Sequence, residues 1–174
     1  MQRKLVWTAL ASAALVILSL QRAGSSSATL LDAGFSSTTL AVGRFGEINA
    51  ALPSFAGAED KRIHWLSRQQ TRGSSDLYVQ SNVWQAGGST GWHTHPGHSL
   101  IIVTAGTVTD YDGNDPDCKP HVYTQGMGFV DPGGDHIHIL RNETDAVAKT
   151  VAVQLIPAAA NVHIAVAEPG HCRF

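Results

Sequence analysis

From Ile63 onward the chain is a succession of short β-favouring runs, at 76–85, 99–104, 107–111, 121–124, 128–131, 136–141 and 147–156, each bounded by Gly, Pro, Asn or Asp. Runs of this length leave no room for long helices between them. The amphipathic helical period is almost absent, so the pattern predicts an all-β sandwich or barrel. The segment 59–70 reads equally as a helical turn or as a first strand. Before it, residues 29–62 are rich in Ala, Ser, Thr and Gly with little periodicity, and read as a leader segment, a strand plus loops, ahead of a domain at 63–174. One domain suits a chain of 174 residues with 43% apolar content.

The first 28 residues have a different character. Arg3 and Lys4 precede an uncharged apolar run at 5–20, which gives way to Ser25, Ser26, Ser27 and Ala28. That is the pattern of a secretory signal peptide at 1–28, with an uncleaved membrane anchor as the alternative. The mature chain is then secreted or periplasmic. Removing 1–28 takes three of the twelve Lys and Arg and none of the fourteen Asp and Glu, leaving a formal charge of −5. An acidic mature surface argues against nucleic acid or an anionic membrane as partner. Cys118 and Cys172 fall in an oxidising compartment on this reading, which predicts one disulfide rather than two thiols.

Alternation along a strand puts every second side chain on one face. His93 and His95 therefore share a face, as do His136 and His138. Imidazoles brought together inside an apolar shell are costly unless hydrogen-bonded or bound to a metal.

The first cluster runs Gly87, His93, His95, Ser99, Gly106; the second runs Gly126, Pro132, Gly134, His138, Asn142. Together they resemble the paired motifs of the cupin superfamily. In that family the first motif is Gly, five residues, His-x-His, three or four residues, Glu, six residues, Gly. The second is Gly, five residues, Pro-x-Gly, two residues, His, three residues, Asn. Two departures stand out: Ser occupies position 99 where most metal-binding members carry Glu, and one extra residue separates Gly134 from His138.

The resemblance implies a cupin double-stranded β-helix, a jelly-roll-like barrel, with His93, His95 and His138 as ligands of a divalent transition metal. His136 is the competing third ligand, set aside because His138 keeps its spacing to Asn142. Neutral imidazoles suit Fe, ranked ahead of Mn, Cu, Zn or Ni. A three-His set leaves the ion its full +2 charge and favours a small anionic chelating ligand, as in the three-His iron dioxygenases that such a set resembles. His98, Ser99, His136 and Gln80 are candidate site-lining residues. His64, His121, His163 and His171 read as surface or strand residues, and Trp92 as packing at the barrel rim. The expectation is an exported metal-dependent oxygenase-type cupin, with a non-catalytic metal- or ligand-binding cupin as the alternative and a homodimer as the expected assembly.

Overall fold

The computed structural model describes residues 33–56, 64–172 and 174; the expected signal at 1–28 lies outside them. In chain order the strands are β1 (Phe35–Phe45), β2 (Asn49–Ala56), β3 (His64–Gln70), β4 (Ser75–Trp84), β5 (His93–Thr94) and β6 (Ser99–Ala105). They continue as β7 (Thr107–Asp112), β8 (Pro120–Thr124), β9 (Gly128–Asp131), β10 (His138–Arg141), β11 (Ala148–Pro157) and β12 (Ile164–Ala165). Two five-stranded antiparallel sheets, ordered β1-β4-β11-β6-β9 and β12-β5-β10-β7-β8, form the barrel, while β2 and β3 pair apart from them. This is the all-β, jelly-roll-like architecture that the sequence predicts.

The alternating pattern is clearest in β6, where Ser99, Ile101 and Val103 are buried while Leu100, Ile102 and Thr104 are exposed. One inward face then meets the other sheet. Phe35, Trp84, Val103 and Ala148 from the first sheet pack against Val108 and Leu140 from the second. Burying each of the larger of these side chains contributes on the order of 1.5–3 kcal/mol relative to exposure. This cluster closes one end of the interior, and the histidines gather toward the other.

β1 lies within the segment read as a leader, yet it pairs with β4 from Phe35↔Trp84 to Phe45↔Ser75. Its run of Ser and Thr has no apolar alternation because Ser37 and Thr39 face a cavity rather than a packed core. The ambiguous 59–70 segment contains a strand, β3, across its described part.

Cys118 and Cys172 form a disulfide with a Cα–Cα distance of 5.4 Å. Cys172 is fully buried beside Trp92, Tyr111 and Ile139, so the bond fastens the C-terminal tail over a second small core. Trp92 is 8% exposed and packs there, with Phe174 stacked 6.0 Å away. Among the described residues no helix is long and apolar enough to cross a membrane.

Candidate metal centre

The barrel brings the first and second histidine clusters together. His93 opens β5, His138 opens β10, and the two are direct register partners. His95 follows β5 on the same side. Ring centroids lie 4.4 Å apart for His93 and His138, 4.7 Å for His93 and His95, and 5.6 Å for His95 and His138. One nitrogen from each falls within 4.8 Å of the others.

Backbone bonds hold the two turns that carry these rings. Gly134 N donates to His95 O at 2.7 Å, and Thr94 Oγ1 donates to Gly134 O at 2.6 Å. Gly133 adopts φ +67°, and a Cβ there would collide with the Gly97 carbonyl. Only glycine permits so close an approach. Asn142, the last residue of the second motif, donates to the carbonyls of Trp84, Gln85 and Ala146 and so ties down the turn that follows β10.

Each ring is oriented through Nδ1. His93 Nδ1 faces the Gly91 carbonyl at 2.9 Å, His95 Nδ1 faces the Val162 carbonyl, and His138 Nδ1 faces Asp110 Oδ1 at 3.3 Å. Carbonyl and carboxylate oxygens only accept, so these partners place the proton on Nδ1 and leave each Nε2 with a free lone pair. Metal-ligating histidines are held in this way. Gln154 Nε2 also donates to the Val162 carbonyl at 3.1 Å, fixing the group that orients His95. His138 Nε2 is buried and has no hydrogen-bond partner.

Burial, and next the neighbouring imidazoles, push His93 well below the ordinary histidine range. Burial also lowers His95, against the opposing influence of Asp131 and the Val162 carbonyl. Neutral imidazole is the form that binds a metal. A buried nitrogen without a partner and two more lone pairs close to it fit such an ion.

The other candidates separate. Ser99 is 3% exposed and faces the interior, and Gln80 lines the same cavity and donates to Ser37 Oγ at 3.4 Å. His98 does not join them. It precedes the inward Ser99, and strand alternation turns it to the outer side among Phe45, Gln69, Leu100 and Leu155. His136 lies before β10, its Nδ1 donating to Asp131 Oδ1 at 3.1 Å and its Nε2 3.5 Å from Asp112 Oδ1. Its pKa is raised, chiefly by the hydrogen bond to Asp131.

Three residues not singled out in the sequence complete the cluster. His163 stacks on His93 at 4.2 Å rather than lying on the surface, and burial followed by His95 and His138 pushes its pKa down to about 4. Asp110 orients His138 as described. Asp131 is 1% exposed; its Oδ2 lies 3.3 Å from His95 Nε2 and 3.7 Å from His138 Nε2. Burial raises the Asp131 pKa, but the His136 hydrogen bond, His138, the Gly133 N–H and His95 together outweigh it and the net shift is downward. The site is therefore three histidines with a carboxylate beside them, not the all-neutral set that Ser99 alone implies. His163 and Asp110 have no motif spacing to reveal them. Asp131 directly precedes Pro132, but only strand register brings it to the histidines.

The rings open onto a cavity of about 160 Å³. Phe35, Ile101, Leu140 and Ala152 give it apolar walls, and Gln80, Asn82, Thr150 and Gln154 give it neutral polar groups. A space of this size admits a small organic molecule.

A two-sheet antiparallel barrel with histidines from two strands gathered in its interior is a jelly roll with a candidate metal site. Residues 82–154 match the family model described as "Cupin domain", so the chain carries a cupin domain over that stretch. No curated protein matches it. Among solved structures it is similar to a cupin superfamily protein of Desulfitobacterium hafniense, with 15% identity, TM-score 0.40, and coverage of 46% of this chain and 67% of that one. It is similar to an oxalate oxidase at 20% identity and TM-score 0.40, covering 47% and 46% of the two chains. It is also similar to the DMSP lyase DddQ of Ruegeria pomeroyi at 18% identity and TM-score 0.45, covering 54% and 45%. The chain thus spans about half the length of the last two.

Proposed function

We propose that this chain is an exported cupin that holds a divalent transition metal, Fe(II) ahead of Mn, Cu, Zn or Ni, on His93, His95 and His138. It would carry out an oxygenase-type reaction on a small anionic organic molecule. The observation that carries the reading is His138 Nε2, buried without a partner and facing the same space as the lone pairs of His93 and His95. The metal would supply Lewis-acid polarisation and a common template for substrate and O₂.

The protein's own residues select and orient the substrate. Phe35, Ile101 and Leu140 give the cavity an apolar wall against which a small molecule would pack. Gln154 is 1% exposed, its Nε2 is committed to Val162, and its Oε1 has no partner, so it accepts a hydrogen bond from a substrate hydroxyl. An α-hydroxy acid, a catechol-like group or an enolised diketone presents such a donor beside a chelating oxygen. The disulfide supports export, and the exposed Leu100, Ile102 and Val130 on the outer sheet face support a homodimer.

The second reading is a binder without turnover, favoured by the neutral cavity wall: beyond the histidines, the lining residues offer no strong base. Elemental analysis of protein recovered from the export compartment, with oxygen uptake on a diketone, catechol and α-hydroxy acid panel, tests both. Bound iron with oxygen uptake supports the enzyme, and stoichiometric metal without uptake supports the binder. Protein that carries no transition metal and takes none up on reconstitution overturns both.

A further inference from the structure

Position 99 lacks the carboxylate expected there, yet the position opposite it does not. In the β6–β9 ladder Ser99 pairs with Asp131, so the two side chains approach the interior from facing points on neighbouring strands. Asp131 has its two oxygens in different circumstances. Oδ1 accepts from Gly133 N at 2.9 Å and from His136 Nδ1 at 3.1 Å. Oδ2 is buried with no hydrogen-bond partner, aimed at His95 Nε2 and His138 Nε2 at 3.3 and 3.7 Å.

Both of those nitrogens are lone-pair acceptors, because their rings carry the proton on Nδ1 toward Val162 and Asp110. Three acceptors turned on one another in a dry interior repel unless a cation lies among them. A proton on Oδ2 would relieve only one approach, and the two N–H groups on Oδ1 stabilise the anion instead. Donor atoms sharing one ion at about 2.1 Å stand roughly 3.0 Å apart in an octahedron and roughly 3.4 Å apart in a tetrahedron, near the spacing observed here.

We infer that Asp131 is a fourth metal ligand, supplying through Oδ2 the carboxylate that position 99 lacks, with His136 as the residue that positions it. The inference rests on the proposed metal site and changes its chemistry. The centre becomes three histidines and one carboxylate, and the ion's charge falls from +2 to +1, matching a monoanionic substrate. It also gives the second His-x-His pair a division of labour: His138 ligates, and His136 holds the ligand beside it.

Cobalt(II) titration of the full mature chain, disulfide intact, tests this in wild type, Asp131→Asn and His138→Ala, with visible ligand-field spectra and thermal midpoints before and after loading. The wild type should bind one cobalt. Asp131→Asn should weaken binding at least tenfold to 100-fold, by an order-of-magnitude reckoning, and change the visible bands. Its metal-free midpoint should be no lower than wild type, because an Asn amide can donate to the imidazole lone pairs, whereas a merely structural aspartate would lower it. The wild type alone offers a second readout, a shift of a carboxylate stretching pair in the cobalt-minus-apo infrared difference spectrum at one equivalent. Unchanged affinity and bands in Asp131→Asn, or no carboxylate shift in wild type, overturns the ligand role and leaves the metal site standing. Wild type that takes up no cobalt, like His138→Ala, overturns the metal site itself.

Discussion

His93 and His138 face each other as cross-strand partners, one opening β5 and the other β10, with ring centroids 4.4 Å apart. That pair brings the two motifs' rings together, and the orientation of each ring depends on what grips its Nδ1. Asp110 grips His138 through Nδ1 at 3.3 Å. Asp110→Asn can present its amide to Nδ1 and favour the wrong tautomer; metal affinity should fall about 10–100-fold with the fold intact. Zinc or cobalt titration beside far-UV circular dichroism checks this.

The cavity can be filled without touching the rings. Ala152 sits in the middle of β11, 6% exposed, on the cavity wall. Ala152→Leu should retain one metal per chain while abolishing ligand binding or oxygen uptake, at a stability cost of about 1–3 kcal/mol from overpacking. Metal analysis and ligand titration on the same sample separate the two effects. Loss of both together would place the ligand elsewhere.

Acid stability should carry the signature of one ion pair. Asp76 accepts from Arg44 Nε and Nη2, both at 2.8 Å, and from Ala159 N at 2.9 Å. The Arg44 hydrogen bonds first, then the Ala159 N–H, lower its pKa from 3.8 to about 2. The unfolded chain therefore takes up this proton at higher pH than the native one. The stabilisation is complete above about pH 4 and is lost as pH falls toward about 2. Urea midpoints measured from pH 5 to 2.5 should fall less steeply in Asp76→Asn than in wild type across that window.

Disulfide removal should loosen the tail before it loosens the site. Cys118→Ser with Cys172→Ser, or reduction of the wild type, should lower unfolding free energy by about 2–4 kcal/mol. Phe174 lies near Trp92 and Tyr111, so tryptophan fluorescence should report the tail's release. Metal affinity, governed by the opposite face of β5 and β10, should change little.

Much of the barrel was legible because its strands are regular. The runs expected at 99–104, 128–131 and 147–156 correspond to Ser99–Ala105, Gly128–Asp131 and Ala148–Pro157, where alternating burial writes itself into composition. β12 escaped notice because it has only two residues, too few for a period, and β5, equally short, was legible only through its His-x-His spacing. β1 was expected only as a leader strand without bounds, because its Ser and Thr face the cavity and leave no apolar alternation. His93, His95 and His138 stood out through motif spacing. Asp131 and His163 did not, since their proximity comes from strand register and from the loop ahead of β12, neither of which leaves a local trace. His98 was a candidate through its nearness in sequence to Ser99, and with Ser99 facing inward the pleat puts it on the other side.

The crowding of Gly133 against Gly97 makes the two histidine-bearing turns one mechanical part. Neither can shift without displacing the other, so variation that tunes what this protein accepts is channelled into β1, β4 and β11, whose side chains face the cavity from the far sheet. New chemistry can thus be tried on the wall while the ligand cradle stays as it is.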